Sequence, residues 1–303
     1  MLEAFLSSTV AMAAPLLLAA LGELLVEDSG VINIGIEGVM LTGAFAAMAA
    51  AYATGSVAAG LGCAALAALA MSALFGAMAV NLAVNQVVAG TALDIFALGV
   101  TGVFYRRMFG VTGQALTVRT LRQVRLGPLS HLPLIGPALF HQNLLVYFSF
   151  LIVPAVWLAL YRTRWGLNLR AAGERPEAAD ALGLGVYGLR WQALMISGVL
   201  TGLSGAYLTL GYANTFVEGM SAGRGFIALA IVILGEWRPG RIAIASVLFG
   251  AALALQFVLQ AVNTGIPYQL FLALPYVLTL VVLTALGGQS HAPSALGEPY
   301  VRP

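Results

Sequence analysis

The chain has 303 residues, of which 60% are apolar and only 9% are Asp, Glu, Lys or Arg, with a formal net charge of +2. Soluble domains carry about 25% charged residues, so too few charges are present here to cover a water-exposed surface. These numbers exclude a soluble protein, and no basic run with interleaved aromatic residues indicates a nucleic-acid partner. The apolar residues form long, nearly uncharged blocks. This pattern predicts an all-α polytopic transmembrane helix bundle with about eight to ten spans.

In chain order, the apolar blocks predict spans near 4–22, 31–53, 57–80, 82–104, 143–161, 191–212, 224–236, 240–260 and 268–287. Two blocks are irregular. Residues 29–38 carry three glycines, Asn33 and Glu37, and residues 224–236 are too short to cross ~30 Å of hydrocarbon at about 1.5 Å per residue. Such segments are typical of broken or re-entrant helices, whose freed backbone lines a cavity in transporters and channels.

Two large loops interrupt the predicted transmembrane domain, 1–287. Residues 105–142 and residues 162–190 lie on opposite faces, because one span separates them, and each loop holds five Arg residues. Counting the smaller loops gives eight Arg on the side of 162–190 and six on the other, which favours a cytoplasmic position for 162–190. The polar, Pro-containing residues 288–303 are read as a flexible tail on that same cytoplasmic side.

The composition also excludes several kinds of site. All 14 basic residues are Arg, so no Lys is present for a GxxxxGK[ST] phosphate-binding loop or for a Schiff base. Cys63 is the single cysteine, and the three histidines, His131, His141 and His291, lack ligand spacing. We therefore expect no cofactor or metal in this chain. If ATP drives the protein, another chain must hydrolyse it.

Polar side chains within the predicted spans mark a candidate substrate pathway, because each costs a few kcal/mol if it faces lipid. The predicted pathway residues are Asn33, Glu37, Asn85, Asp94 and Asn214. Amide and hydroxyl groups suit a neutral, hydrogen-bonding solute such as a nucleoside or a simple sugar. The same residues are also compatible with helix-to-helix hydrogen bonds or with N-caps at span boundaries.

Residues 177–183, Glu-Ala-Ala-Asp-Ala-Leu-Gly, predict a short helix inside the second large loop. Pro176 suits its first turn, Glu177 lies near the positive end of the helix dipole, and Gly183 permits a sharp turn. Composition alone favours an ordinary surface turn with helix caps. A compact helix with a small-residue face also suits docking into a groove on a cytoplasmic partner.

The pattern of EAA followed by three residues and Gly resembles the coupling loop of ABC importer permeases. Three further segments, at 33–38, 85–93 and 223–230, resemble signatures of one such family, which serves ribose, branched-chain amino acids and nucleosides. The four motifs occur in order along essentially the whole chain. The residues of these motifs are most similar to those of the smaller of two paired permeases in nucleoside-type importers. The Ile-x-Leu-Pro ending of other permease families is absent after Gly183.

This resemblance implies a role for each part of the chain. Loop 162–190 would dock on an ABC ATPase subunit with two nucleotide sites, through Glu177, Ala178, Ala179 and Gly183, and that subunit would bind the ATP and Mg²⁺. Loop 105–142 would face an extracytoplasmic substrate-binding protein. The complex would hold a second permease, forming a heterodimer, and this chain would be a multi-pass protein of the bacterial inner membrane, surrounded by lipid.

Rival functions leave more of the sequence unexplained. An ion-coupled secondary transporter of a small polar solute would rest on Glu37 or Asp94 and would leave loop 162–190 without a role. An intramembrane enzyme would need a nucleophile and a base. Residues 202–205 place a serine among glycines without the GxSxG spacing, and no predicted span contains a histidine. A membrane scaffold would give no reason for the acids within the spans.

Overall fold

The protein is a bundle of α-helices, seen here in a computed structural model that describes residues 2–110, 117–125, 127, 130, 135–261, 268–286 and 292–302. The helices are α1 (Leu2–Asp28), α2 (Ile36–Thr54), α3 (Val57–Gly76), α4 (Gln86–Phe109), α5 (Ile135–Phe140), α6 (Leu144–Arg162), α7 (Arg164–Glu174), α8 (Pro176–Ala181), α9 (Val186–Ala206), α10 (Arg224–Leu234), α11 (Pro239–Ala261), α12 (Tyr268–Leu272) and α13 (Leu274–Leu286). Short π-helical segments, Ala77–Asn81 and Tyr207–Ala213, prolong α3 and α9.

The predicted polytopic helix bundle is confirmed. Within the described residues, seven helices are long and apolar enough to cross a membrane: α1, α2, α3 with its π segment, α4, α6, α9 with its π segment, and α11. The remaining predicted blocks correspond to the short α10 and to the α12–α13 pair. The second helix begins at Ile36 and not near residue 31, and the first helix continues to Asp28 and does not end near residue 22.

A small antiparallel strand pair lies in the first large loop and is the one departure from an all-α fold in the described part of the chain. The strands β1 (Gln123–Arg125) and β2 (His141–Asn143) pair with Val124 opposite Gln142. Three residues are too few for an alternating pattern to emerge, so the sequence does not predict them. Several loop residues, 111–116, 126, 128–129 and 131–134, lie outside the described residues.

Helix α1 is the centre of the bundle. Of the residues in its most apolar stretch, 89% are buried inside the protein, compared with 28% for the corresponding stretch of α6 at the periphery. Helices α6, α9, α10 and α11 pack around it. The last turns of α1 carry Glu23, Glu27 and Asp28, all of them buried, and these side chains would be costly against lipid, which favours a central position for the helix.

Helices α2, α3 and α9 approach each other closely through glycines. A Cβ atom added at Gly202 of α9 would lie 2.6 Å from the Ala68 Cβ and 2.8 Å from the Ala64 carbonyl oxygen, both on α3. One added at Gly43 of α2 would lie 2.8 Å from the Gly202 carbonyl oxygen. Small residues at such crossings let the backbones of membrane helices pack directly.

The C-terminal residues depart from the flexible tail that the composition predicts. Residues 292–302, hereafter the C-terminal segment, lie against α7, α9 and the turn after α1, and Tyr300 is buried there with 5% of its surface exposed. Residues 287–291 and 303 lie outside the described residues. Polar composition was a poor guide here, because the segment binds largely through its own backbone groups.

The substitution Gly202→Leu should reduce the thermal stability of the detergent-solubilised protein, because overpacking a tight contact costs about 1–3 kcal/mol. Gly188→Leu is the matched control on the same helix, since a Cβ there meets no atom within 4 Å. Equal melting temperatures for the two variants would contradict the close α3–α9 contact.

Candidate translocation seam and coupling surface

The chain breaks its helical path between α1 and α2, over residues 29–35, hereafter the re-entrant segment. The Ile32 amide donates to Gln86 Oε1 at 2.7 Å, at the first residue of α4, and the Gly38 amide donates to Asp94 Oδ1 at 2.7 Å. Gln86 and Asp94 are two turns apart, about 12 Å along the helix. The segment therefore runs alongside the first turns of α4, and α2 begins inside the span.

Buried and half-buried carboxyl groups accept the hydrogen bonds that the broken backbone cannot satisfy by itself. Besides Asp94, Glu23 of α1 accepts a 2.8 Å hydrogen bond from the Asn33 amide. Glu23 and Asn33 are 0% and 1% exposed. An amide left without an acceptor in hydrocarbon costs several kcal/mol, so these side chains are what allow a non-helical segment at this depth.

Glu37 performs the same task for α10. Its Oε1 accepts from the Gly223 amide and its Oε2 from the Gly225 amide, both at 2.7 Å, so one carboxylate satisfies two amides at the helix start. A Cβ atom at position 225 would lie 2.6 Å from the Glu37 Cα. The backbones of α2 and α10 can therefore approach this closely only because residue 225 is glycine. The short block at 224–236 is thus a helix that begins inside the bundle, as the sequence predicts.

Three of the signature segments, far apart in sequence, meet at this place. Residues 33–38 lie against 85–93 because Gly90 has no side chain: a Cβ there would lie 2.6 Å from the Gly35 nitrogen. Residues 223–230 join them through Glu37. We call this junction the seam and define it by Glu23, Asn33, Glu37, Gln86 and Asp94.

The five predicted pathway residues do not form one cluster. Asn33, Glu37 and Asp94 belong to the seam, and Asn33 Oδ1 is buried with no hydrogen-bond partner among the described residues. Asn85 caps α4, accepting from the Val87 and Val88 amides, and its surface is exposed. Asn214 follows the π segment of α9 with a φ of +60°. Their place in a substrate pathway stays a prediction.

Sequence reasoning missed Glu23 and did not place Gln86 in the seam. Glu23 lies just after the predicted end of the first span, but α1 continues to Asp28 and buries it. Glu27, four residues on, is also buried and accepts a 2.6 Å hydrogen bond from the Trp237 indole. Acids at this helical spacing directly after an apolar block were the available signal. Gln86 falls within the predicted span 82–104, but a lone amide there does not indicate that it accepts a hydrogen bond from the Ile32 amide, 54 residues away.

Helix α8 is the predicted short helix of the second loop, with Pro176 at its first position and Gly183 following at a φ of +83°. Glu177 and Ala178 point outward, whereas Ala179 is 3% exposed and packs with Ala172, Val186 and Tyr300. Ala179 therefore supports the helix from beneath and is not part of its exposed face.

Leu182, which the sequence analysis did not single out, extends the exposed face of α8. Leu182 exposes 83% of its surface directly after the helix. We call the exposed set of Glu177, Ala178, Leu182 and Gly183 the coupling surface. A groove of about 410 Å³ borders it, between α8 and the C-terminal segment. On the groove wall, the hydroxyl and amide of Ser294 donate to Glu174 and hold the pKa of that carboxyl below its usual value.

These features define a class of protein. Helices that begin inside a membrane bundle, with the amides at their first residues bound by carboxyl groups of neighbouring helices, are typical of transporters, which use such breaks to line a cavity. No group of His, Cys, Asp and Glu within the described residues has the geometry of a metal site.

Comparison with known proteins identifies the transporter family. Residues 5–283 match the family described as the branched-chain amino acid transport system permease component, and the chain belongs to that family. It is the translocation subunit of an ABC importer, a multi-pass membrane protein whose partners include an ATPase and a substrate-binding protein.

Two of the relatives are similar over nearly their whole length, and a third over part of it. The chain is 35% identical to a putative glucose ABC transporter permease protein, TsgC13, of Haloferax volcanii, over 98% of this chain and 97% of that protein. It is 35% identical to the guanosine ABC transporter permease protein NupQ of Bacillus subtilis, over 99% and 97%. The guanosine permease NupP of the same organism is 24% identical, over 87% of this chain and 76% of that protein. No solved structure matches the chain.

The substitution Glu37→Ala should destabilise the bundle strongly, because it leaves the Gly223 and Gly225 amides without an acceptor, at about 1–3 kcal/mol for each buried donor. The control is Glu218→Ala, which removes an exposed carboxylate 3.6 Å from Arg106 and should change stability little. Thermal unfolding in detergent measures both, and a Glu37→Ala variant as stable as the control would contradict the capping role.

Proposed function

We propose that this chain carries a nucleoside or a simple sugar across the bacterial inner membrane, with the seam as part of the pathway. Two similar proteins, NupQ and TsgC13, are named for guanosine and glucose. Both solutes are neutral and rich in hydrogen-bonding groups. The buried, unpartnered Oδ1 of Asn33 supports a polar pathway beside the seam, since an acceptor without a partner favours a hydroxyl or amine donor.

In this proposal the coupling surface faces the cytoplasm and docks on the ATPase. The observation that carries it is the exposure of Leu182 beside small residues at the tip of a loop. A leucine side chain in water is unfavourable, and covering it against a partner removes apolar area at about 25 cal/mol per Å². Glu177 adds a charge at the rim, where it favours the orientation of a complementary partner more than its affinity.

The ATP and Mg²⁺ belong to the partner in this proposal, and this chain has no ATPase site of its own. The absence of lysine from the whole sequence supports this, because a phosphate-binding GxxxxGK[ST] loop needs one. Loop 105–142, on the other side of α6 from the coupling surface, faces the exterior and the substrate-binding protein.

The second permease of the complex is a different chain, forming a heterodimer with this one. Bacillus subtilis has two guanosine permeases, NupQ and NupP, and the chain covers 97% of the first but 76% of the second. This chain corresponds in length and identity to NupQ. A longer sibling would then occupy the position of NupP.

The substitution Leu182→Glu should abolish co-purification of the ATPase and ATP-driven uptake, while the protein stays folded in the membrane. Glu177→Arg and Gly183→Trp should act in the same direction through charge and bulk. The control for ATPase binding is Leu139→Glu, an exposed leucine of α5 in the opposite loop, which should leave ATPase co-purification unchanged. Normal uptake and ATPase binding by the three coupling variants would contradict the docking proposal.

Proteoliposomes that contain both permeases, the ATPase and the substrate-binding protein should take up labelled guanosine or glucose only when ATP is supplied. Leucine serves as the control solute. Uptake of leucine alone would place the chain with amino-acid carriers. Uptake driven by a proton gradient without ATP would support a secondary transporter instead.

A further inference from the structure

The C-terminal segment connects parts of the protein that are far apart in sequence. The Ala295 amide donates to the Gly173 carbonyl of α7 at 3.1 Å, and the Gly297 amide donates to the Gly30 carbonyl of the re-entrant segment at 3.1 Å. Two backbone hydrogen bonds, two residues apart, thus join α7 to the start of the re-entrant segment.

A second set of contacts joins the same segment to α8. Arg302 Nε lies 3.0 Å from Asp180 Oδ2, and the Arg302 amide donates to the Tyr187 hydroxyl at 3.2 Å. That hydroxyl in turn donates to the Tyr300 carbonyl at 3.3 Å. The end of the segment is therefore held between α8 and the first turn of α9.

Tyr300 is the packing centre of this arrangement. Its ring lies in the same cluster as Ala179 of α8 and faces the Tyr187 ring at a centroid distance of 5.7 Å. The Arg190 guanidinium lies 5.7 Å from the Tyr300 ring centroid, and its Nε donates to the Ser29 carbonyl at 3.2 Å. Arg190, a fully buried cation, therefore bridges Tyr300 and the re-entrant segment.

Helix α8, which also contacts α7 and α9, is attached to the C-terminal segment through these contacts. It has six residues, fewer than two turns, and a helix of this length has little stability of its own. Ala179 is its one buried residue and presents a single methyl group to the bundle. Tyr300 supplies the large side chain against which that methyl packs, and the Arg302–Asp180 pair holds the helix end.

We propose that the C-terminal segment is the mechanical connection between α8 and the re-entrant segment, with Tyr300 and Arg302 as its positioning residues. The inference rests on the proposed docking of an ATPase at the coupling surface. When the ATPase displaces α8, Tyr300 and Arg190 carry the displacement to Ser29 and Gly30. Asn33 lies in the same re-entrant segment and is hydrogen-bonded to Glu23, so the displacement reaches the seam through Asn33.

The test is the amount of substrate transported per ATP hydrolysed, measured with the full complex in proteoliposomes. Tyr300→Ala should leave ATPase co-purification and basal hydrolysis in place and lower this ratio by about two- to thirtyfold, the range expected for residues that modulate coupling between two sites. Val301→Ala is the control in the same segment, because Val301 is 68% exposed. It should leave the ratio unchanged.

A second variant covers the case in which Tyr300→Ala does not fold. Arg302→Glu opposes Asp180 with a like charge and should lower the ratio by about two- to fivefold, since the pair is partly exposed. The double variant Arg302→Glu with Asp180→Arg restores the opposite charges and should recover the ratio. Failure of this exchange to recover a lowered ratio would count against the connection.

The outcomes separate this inference from the docking proposal. A wild-type ratio in both Tyr300→Ala and Arg302→Glu overturns the connection, and docking still stands if Glu177→Arg prevents ATPase co-purification. Loss of ATPase binding by Tyr300→Ala, with an unchanged ratio in the complex that remains, also overturns it, because the segment would then serve only to support α8. Normal ATPase binding by Glu177→Arg overturns docking itself.

Discussion

The structure depends on one constraint: every backbone amide at membrane depth needs an acceptor, and a broken helix cannot supply it from its own chain. Side chains from neighbouring helices do so here. Glu23 accepts from Asn33, Asp94 from Gly38, and Glu37 from Gly223 and Gly225. Because each acceptor is on a different element from its donor, the same hydrogen bonds that permit the breaks also tie α1, α2, α4 and α10 into one unit.

The re-entrant segment and the C-terminal segment together lie between the candidate pathway and the coupling surface. The re-entrant segment lies next to the seam at Asn33 and next to the C-terminal segment at Gly30. A six-residue helix such as α8 has little stability of its own. Because Tyr300 and Arg302 contact it, we expect α8 to move together with the C-terminal segment. The seam and α8 therefore share structural support through the C-terminal segment.

Several predictions from sequence were confirmed because they rest on local chemistry. Long apolar blocks predicted the helices, and Pro176 with Gly183 predicted the bounds of α8. The acids at 37 and 94 were identified as unusual because a charge within an apolar block is costly wherever the chain folds. Their partners were not predictable, since Glu37 binds amides 186 and 188 residues away and no local pattern encodes that distance.

By itself, the sequence determined the membrane class, the helical fold, the broken second span, the short helix within 162–190 and the permease family. Only the tertiary structure decided that Ala179 faces inward, that Leu182 faces outward, that Glu23 and Gln86 belong to the seam, and that residues 292–302 are packed. The physical reason is that hydropathy and turn preference are properties of neighbouring residues. Burial and hydrogen bonding across the bundle depend on which helices meet.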